Sequence, residues 1–170
     1  MVHERKKNPV VVPQKRIHAF LTRHTTNSEK ETLRLAEKFG RKLKARDVVA
    51  FTGPIGSGKT VFIKGVCRAL GVKNPDEVKS PTFVLLHLYK GRCPIQHFDL
   101  YRLEREEELE DIGFDDFLWN PEAVTLVEWA DKAAERIPEN SLWVQLEVTG
   151  PNSRSVVIAS ARRLRRQSSQ

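Results

Sequence analysis

The chain has 170 residues, of which 39% are hydrophobic, and a formal net charge of +7. This length is typical of one domain with a real core, and no apolar stretch approaches the roughly 20 residues of a membrane-crossing helix. The first residues lack the apolar segment of a secretory signal, and Cys67 and Cys93 lack metal-ligand spacing. We therefore expect a cytoplasmic protein with reduced thiols and no membrane contact.

The positive charge belongs to the two ends of the chain. Residues 1–16 hold five Lys or Arg and one Glu, and residues 161–170 hold four Arg and no acid. Each end therefore has a net charge of +4, and the rest of the chain has a net charge of 7 − 8 = −1. We interpret 1–16 as a flexible basic arm, 17–160 as the folded domain and 161–170 as a basic tail. Such ends are most often solvated tails, and contact with RNA or an acidic partner is the alternative.

The first predicted elements are a strand over 17–23 and a helix over 29–44. Ser28 is followed three residues later by Glu31, which is the spacing of a capping box. The apolar residues that this helix is expected to bury are Leu33, Leu35, Ala36, Phe39 and Leu43.

A glycine-rich motif follows a buried strand over 48–52 and precedes a helix over 61–70. It reads Gly53-Pro54-Ile55-Gly56-Ser57-Gly58-Lys59-Thr60 and fully matches G-x-x-x-x-G-K-[ST]. In this phosphate-binding loop, the P-loop, backbone N–H groups at the helix start point at phosphates. Lys59 is expected to reach the β- and γ-phosphates, and the Thr60 hydroxyl to bind Mg²⁺. Strand, loop and helix in this order favour a nucleotide triphosphate site over a chance match.

The remaining elements predict a mixed sheet. Two short apolar runs, 84–89 and 95–100, read as a hairpin, and acidic residues 104–112 read as a short helix. A buried strand over 124–127, a helix over 130–137 and a closing antiparallel pair, 142–148 with 155–159, follow. We predict an α/β, P-loop NTPase-like fold of three layers with parallel and antiparallel strands.

Two acids end predicted strands and are candidates for Mg²⁺ binding. Asp99 ends the run of 95–98, where Walker-B carboxylates of this fold class hold the metal, or it is a capping residue before Leu100-Tyr101-Arg102. Glu128 ends the run of 124–127 and would bind Mg²⁺ or position the attacking water, or it is a surface residue. Trp129, beside it, is by type more often a core residue than a nucleotide platform.

Other candidates carry weaker signals. Ser80-Pro81-Thr82-Phe83 is a loop whose Thr82 could sense the γ-phosphate as a switch threonine does, although a plain turn is the default. His87 and His97 stand without ligand spacing, and we interpret them as packing or surface residues.

Four of these segments together resemble one family closely. The P-loop, Ser80-Pro81-Thr82-Phe83, His97-Phe98-Asp99-Leu100-Tyr101-Arg102 and Val127-Glu128-Trp129 follow one another in the order and spacing of the TsaE (formerly YjeE) family, over about 17–150. The resemblance implies a cytoplasmic ATPase that uses ATP and Mg²⁺. It also implies the TsaB–TsaD heterodimer as partner, in which TsaD transfers threonylcarbamoyl to adenosine 37 of tRNA, so that contact with tRNA would be indirect.

The same resemblance assigns roles to single residues. It places Lys59 and Thr60 at phosphate and metal, Thr82 in a switch-like loop with Ser80, and Asp99 as the Walker-B-type acid. Glu128 becomes the second acid at the metal and a catalytic candidate, and Trp129 lies beside the nucleotide. Two departures are Pro54, which removes a backbone donor early in the loop, and Ser57, where the family usually has Ala.

Three other functions compete with this interpretation. A small-molecule P-loop kinase would use Arg102 and Arg105 in a lid. A GTPase is disfavoured because the chain has no N-K-x-D motif. A non-enzymatic RNA-binding protein would act through the basic ends and would lose affinity steeply with salt.

Overall fold

The structure is a computed structural model and describes residues 20–160. The predicted arm, the predicted tail and the start of the first predicted strand lie outside the described residues. The strands are β1 (Phe20–Thr26), β2 (Val48–Thr52), β3 (Leu86–Lys90), β4 (Pro94–Asp99), β5 (Val124–Glu128), β6 (Leu142–Val148) and β7 (Arg154–Ser160). The helices are α1 (Glu29–Gly40), α2 (Lys59–Ala69), α3 (Glu108–Asp111) and α4 (Phe114–Leu118), with 3-10 helices at Pro75–Glu77 and Ala130–Ala133.

The sheet is mixed, as predicted from the short hairpin loop. Its strand order is β1-β7-β6-β2-β5-β4-β3. Strand β2 pairs in parallel with β5 and β6, and β4 pairs in parallel with β5, whereas the other three pairs are antiparallel. The hairpin is β3–β4 and the closing pair is β6–β7. The parallel centre brings the carboxyl ends of β2, β5 and β4 to one edge of the sheet.

Helices cover both faces of this sheet, so the three predicted layers are confirmed. Alternate residues of β2 point to opposite sides: Val49 and Phe51 pack into a core with α1 and α2, and Val48 and Ala50 pack into a second core with α3 and α4. All five residues of β2 are buried, which explains why this strand is a continuous apolar run rather than an alternating one.

Helix α1 begins where the capping signal predicts. The Ser28 hydroxyl accepts a hydrogen bond from the Glu31 backbone N–H at 3.2 Å. The Glu31 carboxylate reaches back one residue further than in a standard capping box and accepts from the Asn27 N–H at 2.7 Å. Two backbone donors at the helix start are therefore satisfied by side chains.

The same helix ends at Gly40, four residues before its predicted end. The backbone N–H groups of Lys42 and Leu43 bond to carbonyls three residues back, so the last turn tightens and turns Leu43 into the core. The Arg92 guanidinium then donates to the Gly40 and Leu43 carbonyls at 3.3 and 2.6 Å. Leu43, Ala36 and Phe39 are buried as predicted, whereas Leu33 and Leu35 are only half-buried.

The predicted helix over 130–137 is wrong. Only Ala130–Ala133 is helical, and it is a 3-10 helix. Trp129 before it adopts a left-handed backbone with φ of 57°, and Pro138 after it disfavours helical geometry at the preceding residue. The apolar spacing reports burial of Ala130, Ala133 and Ile137 against the sheet rather than a regular helix. Two further differences are that the helix predicted over 104–112 is shortened to α3 and that α4 was not predicted.

Candidate functional site

The P-loop leaves the carboxyl end of β2 and enters α2, as predicted. Gly53 lies so close to β6 that a Cβ there would meet the Leu146 carbonyl oxygen at 2.2 Å. Gly58 caps the helix with φ of 97°, in the left-handed region that favours glycine. Between them, the Ser57 N–H donates to the Pro54 carbonyl at 3.1 Å and closes the loop. The glycines are thus required by the path of the backbone itself.

Lys59 begins α2 and folds back over the P-loop. Its side chain is largely buried, and Nζ donates to the Gly53 and Pro54 carbonyls at 2.7 and 2.9 Å. The ammonium also lies 4.2 Å from the centre of the Trp129 ring, a cation–π distance. Burial lowers the pKa of Lys59, and the negative charges of Glu128 and Asp99 oppose that shift.

Thr60 and Glu128 are in direct contact beneath the loop. The Thr60 hydroxyl lies 3.0 and 3.2 Å from the two carboxylate oxygens of Glu128. Glu128 is the last residue of β5 and is 2% exposed. The alternative that Glu128 is a surface residue is therefore wrong. The P-loop hydroxyl and a buried acid therefore face one another across 68 residues of sequence.

Asp99 holds a different part of the site. Its Oδ2 accepts hydrogen bonds from the hydroxyls of Ser80 and Thr82, the latter at 2.7 Å. Its Oδ1 accepts from the Tyr101 N–H at 2.8 Å. The loop with the two hydroxyls is therefore fastened to the end of β4 rather than being a free turn. The local bond to Tyr101 is also the capping-type contact that the sequence offered as the alternative.

Trp129 is partly buried beside the P-loop. Its φ of 57° is uncommon for a bulky residue, and such strain persists where the surrounding structure requires it. The indole packs on Tyr101 with ring centres 5.1 Å apart and also meets the Lys59 ammonium. The residue is thus part of the site and of the core at once.

Sequence reasoning missed two residues that contact the site. His97 is buried, and its Nε2 lies 2.8 Å from Glu128 Oε1, so the histidine is packed as predicted but not isolated. The signal was its position two residues before Asp99, which puts both side chains on one face of β4. Arg154, on β7, donates to the Ser57 and Gly56 carbonyls at 3.1 and 3.2 Å, and no local pattern marks it.

The structure brings most of the predicted site residues together. The P-loop, Glu128 and Asp99 follow the carboxyl ends of β2, β5 and β4, the edge where open α/β sheets bind ligands. His87 lies apart on β3, with Nδ1 near the Lys79 carbonyl and the Tyr89 hydroxyl. Within residues 20–160 no group of three or more His, Cys, Asp or Glu side chains could hold a metal by itself.

The fold and the site define a P-loop NTPase-like α/β protein. A family model described as threonylcarbamoyl adenosine biosynthesis protein TsaE matches residues 26–156. The chain therefore belongs to the TsaE family, and the resemblance inferred from its motifs is confirmed. No helix among the described residues is long and apolar enough to span a bilayer.

Individual relatives agree with this assignment. The chain is 34% identical to the tRNA threonylcarbamoyladenosine biosynthesis protein TsaE of Treponema pallidum, over 81% of this chain and 99% of that protein. It is 39% identical to the Mycobacterium tuberculosis (strain H37Rv) protein of the same name, over 69% and 73%. The crystal structure of Bacillus subtilis YdiB is similar, with a TM-score of 0.68, 26% identity and coverage of 84% and 87% of the two chains.

Proposed function

We propose that this chain is an ATPase that binds ATP and Mg²⁺ at the P-loop and supports threonylcarbamoyladenosine modification of tRNA position 37. The observation that carries the proposal is the contact between Thr60 and Glu128, which joins the P-loop hydroxyl to a buried acid. The names of the family and of its relatives support the tRNA-modification role.

The residues present fit a magnesium ion. Mg²⁺ is usually held by one or two protein groups, several waters and the substrate phosphates, so a single hydroxyl and a nearby acid suffice. The Thr60 hydroxyl donates its hydrogen to Glu128, which leaves the lone pairs of its oxygen for a cation. Thr60, Glu128 and Asp99 would hold the metal, which when bound neutralises charge that develops on the phosphates.

The chain's own groups supply the rest of the site. The backbone N–H groups at the start of α2 are a ready anion site, and Lys59 adds a cation there. When a triphosphate binds, the Lys59 ammonium would give up its hydrogen bonds to the Gly53 and Pro54 carbonyls and donate to phosphate oxygens instead. Glu128 would orient water, and Asp99 would couple the Ser80–Thr82 loop to the occupancy of the site.

The arginines support the proposal that activity depends on a partner. Within residues 20–160, the arginine that hydrogen-bonds the P-loop is Arg154, and loop carbonyls engage its donors. An arginine finger supplied in cis or by a partner typically raises phosphoryl-transfer rates by roughly 10³–10⁵. We therefore propose slow hydrolysis by the isolated chain and acceleration by the TsaB–TsaD heterodimer, with tRNA contacted through that complex.

The kinase alternative lacks support from the arginines that it would need. Arg102 lies over the exposed Phe83 ring at 5.0 Å, and Arg105 is 3.9 Å from Glu108. Neither arginine hydrogen-bonds the P-loop. ADP formation that depends on an acceptor, in a screen of nucleosides and sugars, would favour the kinase function instead.

Reconstitution of tRNA modification with purified TsaB and TsaD tests the proposed function. Adding this chain with ATP should increase the number of modified tRNAs per TsaD, and Lys59→Ala should abolish that gain. Lys64→Ala is the matched control, since Lys64 lies on the same helix but pairs with Asp76 on the surface at 2.9 Å. GTP supporting the reaction as well as ATP, or no gain from the wild-type chain, would overturn the proposal.

A further inference from the structure

We propose that His97 is a positioning residue that fixes the carboxylate of Glu128 for the chemistry at the P-loop. The proposal rests on the ATPase function proposed above. It adds to that function a residue that neither touches the nucleotide loop nor shows a ligand motif.

The geometry assigns one direction to the hydrogen bond. His97 is fully buried, and its Nε2 lies 2.8 Å from Glu128 Oε1. An ionised carboxylate only accepts hydrogen bonds, so Nε2 carries the hydrogen and donates it. The other ring nitrogen, Nδ1, is also buried and has no hydrogen-bond partner among the described residues.

This pattern distinguishes positioning from packing. A ring present only to fill space would be better replaced by an apolar one, because a buried nitrogen without a partner destabilises the fold. The ring's single hydrogen bond among the described residues goes to Glu128, and its other aromatic neighbour, the Tyr89 ring, has its centre 6.2 Å away. The contact with Glu128 is therefore what accounts for a histidine at this position.

The two donors to Glu128 have different roles. Glu128 Oε1 accepts from His97 at 2.8 Å and from Thr60 at 3.0 Å, and Oε2 is 3.2 Å from Thr60. Thr60 is itself a proposed metal ligand, so its hydroxyl serves two partners. His97 serves Glu128 alone and limits rotation of the carboxylate, as outer-shell histidines and carboxylates do at metal sites.

Two substitutions of His97 distinguish a positioning role from a packing role by their effect on activity. His97→Leu should lower the partner-stimulated kcat by roughly 10–100-fold, the usual effect of losing an outer-shell contact. His97→Gln places an amide N–H near the position of Nε2 and should restore kcat to within about threefold of the wild type. Nucleotide affinity without Mg²⁺ should be unchanged in both variants. Equal losses of kcat in the Leu and Gln variants, or full activity of His97→Leu, would overturn the proposal.

A spectroscopic test needs no nucleotide and no partner. Nitrogen-15 NMR of the ligand-free protein should show His97 as the tautomer with hydrogen on Nε2, and Glu128→Gln should shift that resonance. His87→Gln is the control, since His87 lies on β3 away from Glu128, and it should leave the His97 signal in place. A hydrogen on Nδ1 alone would refute the assignment. If the wild-type chain neither binds nor hydrolyses ATP, the ATPase proposal fails while the NMR result still reports on the His97–Glu128 bond.

Discussion

Asp99 and Glu128 are register partners at the ends of two neighbouring parallel strands, yet their carboxylates bind different parts of the site. Asp99 accepts hydrogen bonds from the Ser80–Thr82 loop, whereas Glu128 accepts from Thr60 of the P-loop and from His97. The two acids therefore connect two loops, the P-loop and the Ser80–Thr82 loop, to one edge of the sheet. This arrangement leads to separate expectations for each acid.

We expect Glu128→Gln to reduce turnover far more than binding. The amide keeps the size of the side chain but loses the charge that would act on metal and water. Loss of such a group typically costs roughly 10²–10⁴-fold in kcat, whereas affinity for ATP should change by less than about fivefold. Steady-state hydrolysis with the partners and calorimetric titration of nucleotide measure the two quantities. Glu135→Gln, the same change at an exposed position after the neighbouring 3-10 helix, is the control. Equal loss of binding and turnover in Glu128→Gln would make Glu128 mainly a structural residue.

The contact between Thr82 and Asp99 should be measurable as a coupling free energy. Thr82→Val and Asp99→Ala each remove the 2.7 Å hydrogen bond, so the double variant should be less destabilised than the sum of the singles. We expect a coupling of about 1.5–3 kcal/mol in the free energy of unfolding, because the bond involves a charged acceptor. Urea denaturation of the four proteins measures it. Strictly additive effects would mean that the two side chains do not interact in solution.

Trp129 should report nucleotide binding by fluorescence. Its ring lies against the Lys59 ammonium, and a triphosphate that draws this ammonium away changes the environment of the indole. We expect the emission change on ATP addition to disappear in Trp129→Phe and to remain in Trp119→Phe, whose tryptophan is exposed at 69%. An undiminished signal in Trp129→Phe would show that the ring does not sense the nucleotide.

Alkaline pH should destabilise the protein through Cys67. Burial raises the pKa of this thiol from 9.0 to about 12, so the folded state keeps the proton that the unfolded state loses. The stabilising effect is complete below pH 9 and is lost as the pH rises towards 12, with a slope of at most about 1.4 kcal/mol per pH unit. Cys67→Ala should flatten the decline of the unfolding free energy between pH 9 and 10.5 (roughly the accessible window). An unchanged slope would mean that the thiol does not titrate on unfolding.

The elements that could be predicted from the sequence are those encoded by local patterns. The P-loop motif predicts the strand before it and the helix after it, and the spacing of Ser28 and Glu31 predicts the start of α1. The short loop before Pro94 was enough to predict the hairpin and hence a mixed sheet. These signals span fewer than about ten residues, the range over which turn and capping chemistry acts.

The features that could not be predicted depend on strand pairing or on backbone strain. His97 meets Glu128 only because β4 lies beside β5, and Arg154 meets Ser57 across 97 residues. The helix expected after Trp129 fails because that residue turns left-handed under its contacts with Tyr101 and Lys59. Local sequence provided at most partial signals for these features, the position of His97 two residues before Asp99 and Pro138 after the expected helix, and the contacts themselves follow from the assembled sheet.

The pairing of β1 has a consequence for how the chain is made. Within the described residues β1 pairs only with β7, and its first residue, Phe20, lies opposite Ser160. During synthesis β1 therefore cannot form this pairing until β7 has left the ribosome. Because Arg154 of β7 also donates to the Ser57 and Gly56 carbonyls, these hydrogen bonds to the P-loop can form only after β7 has been translated.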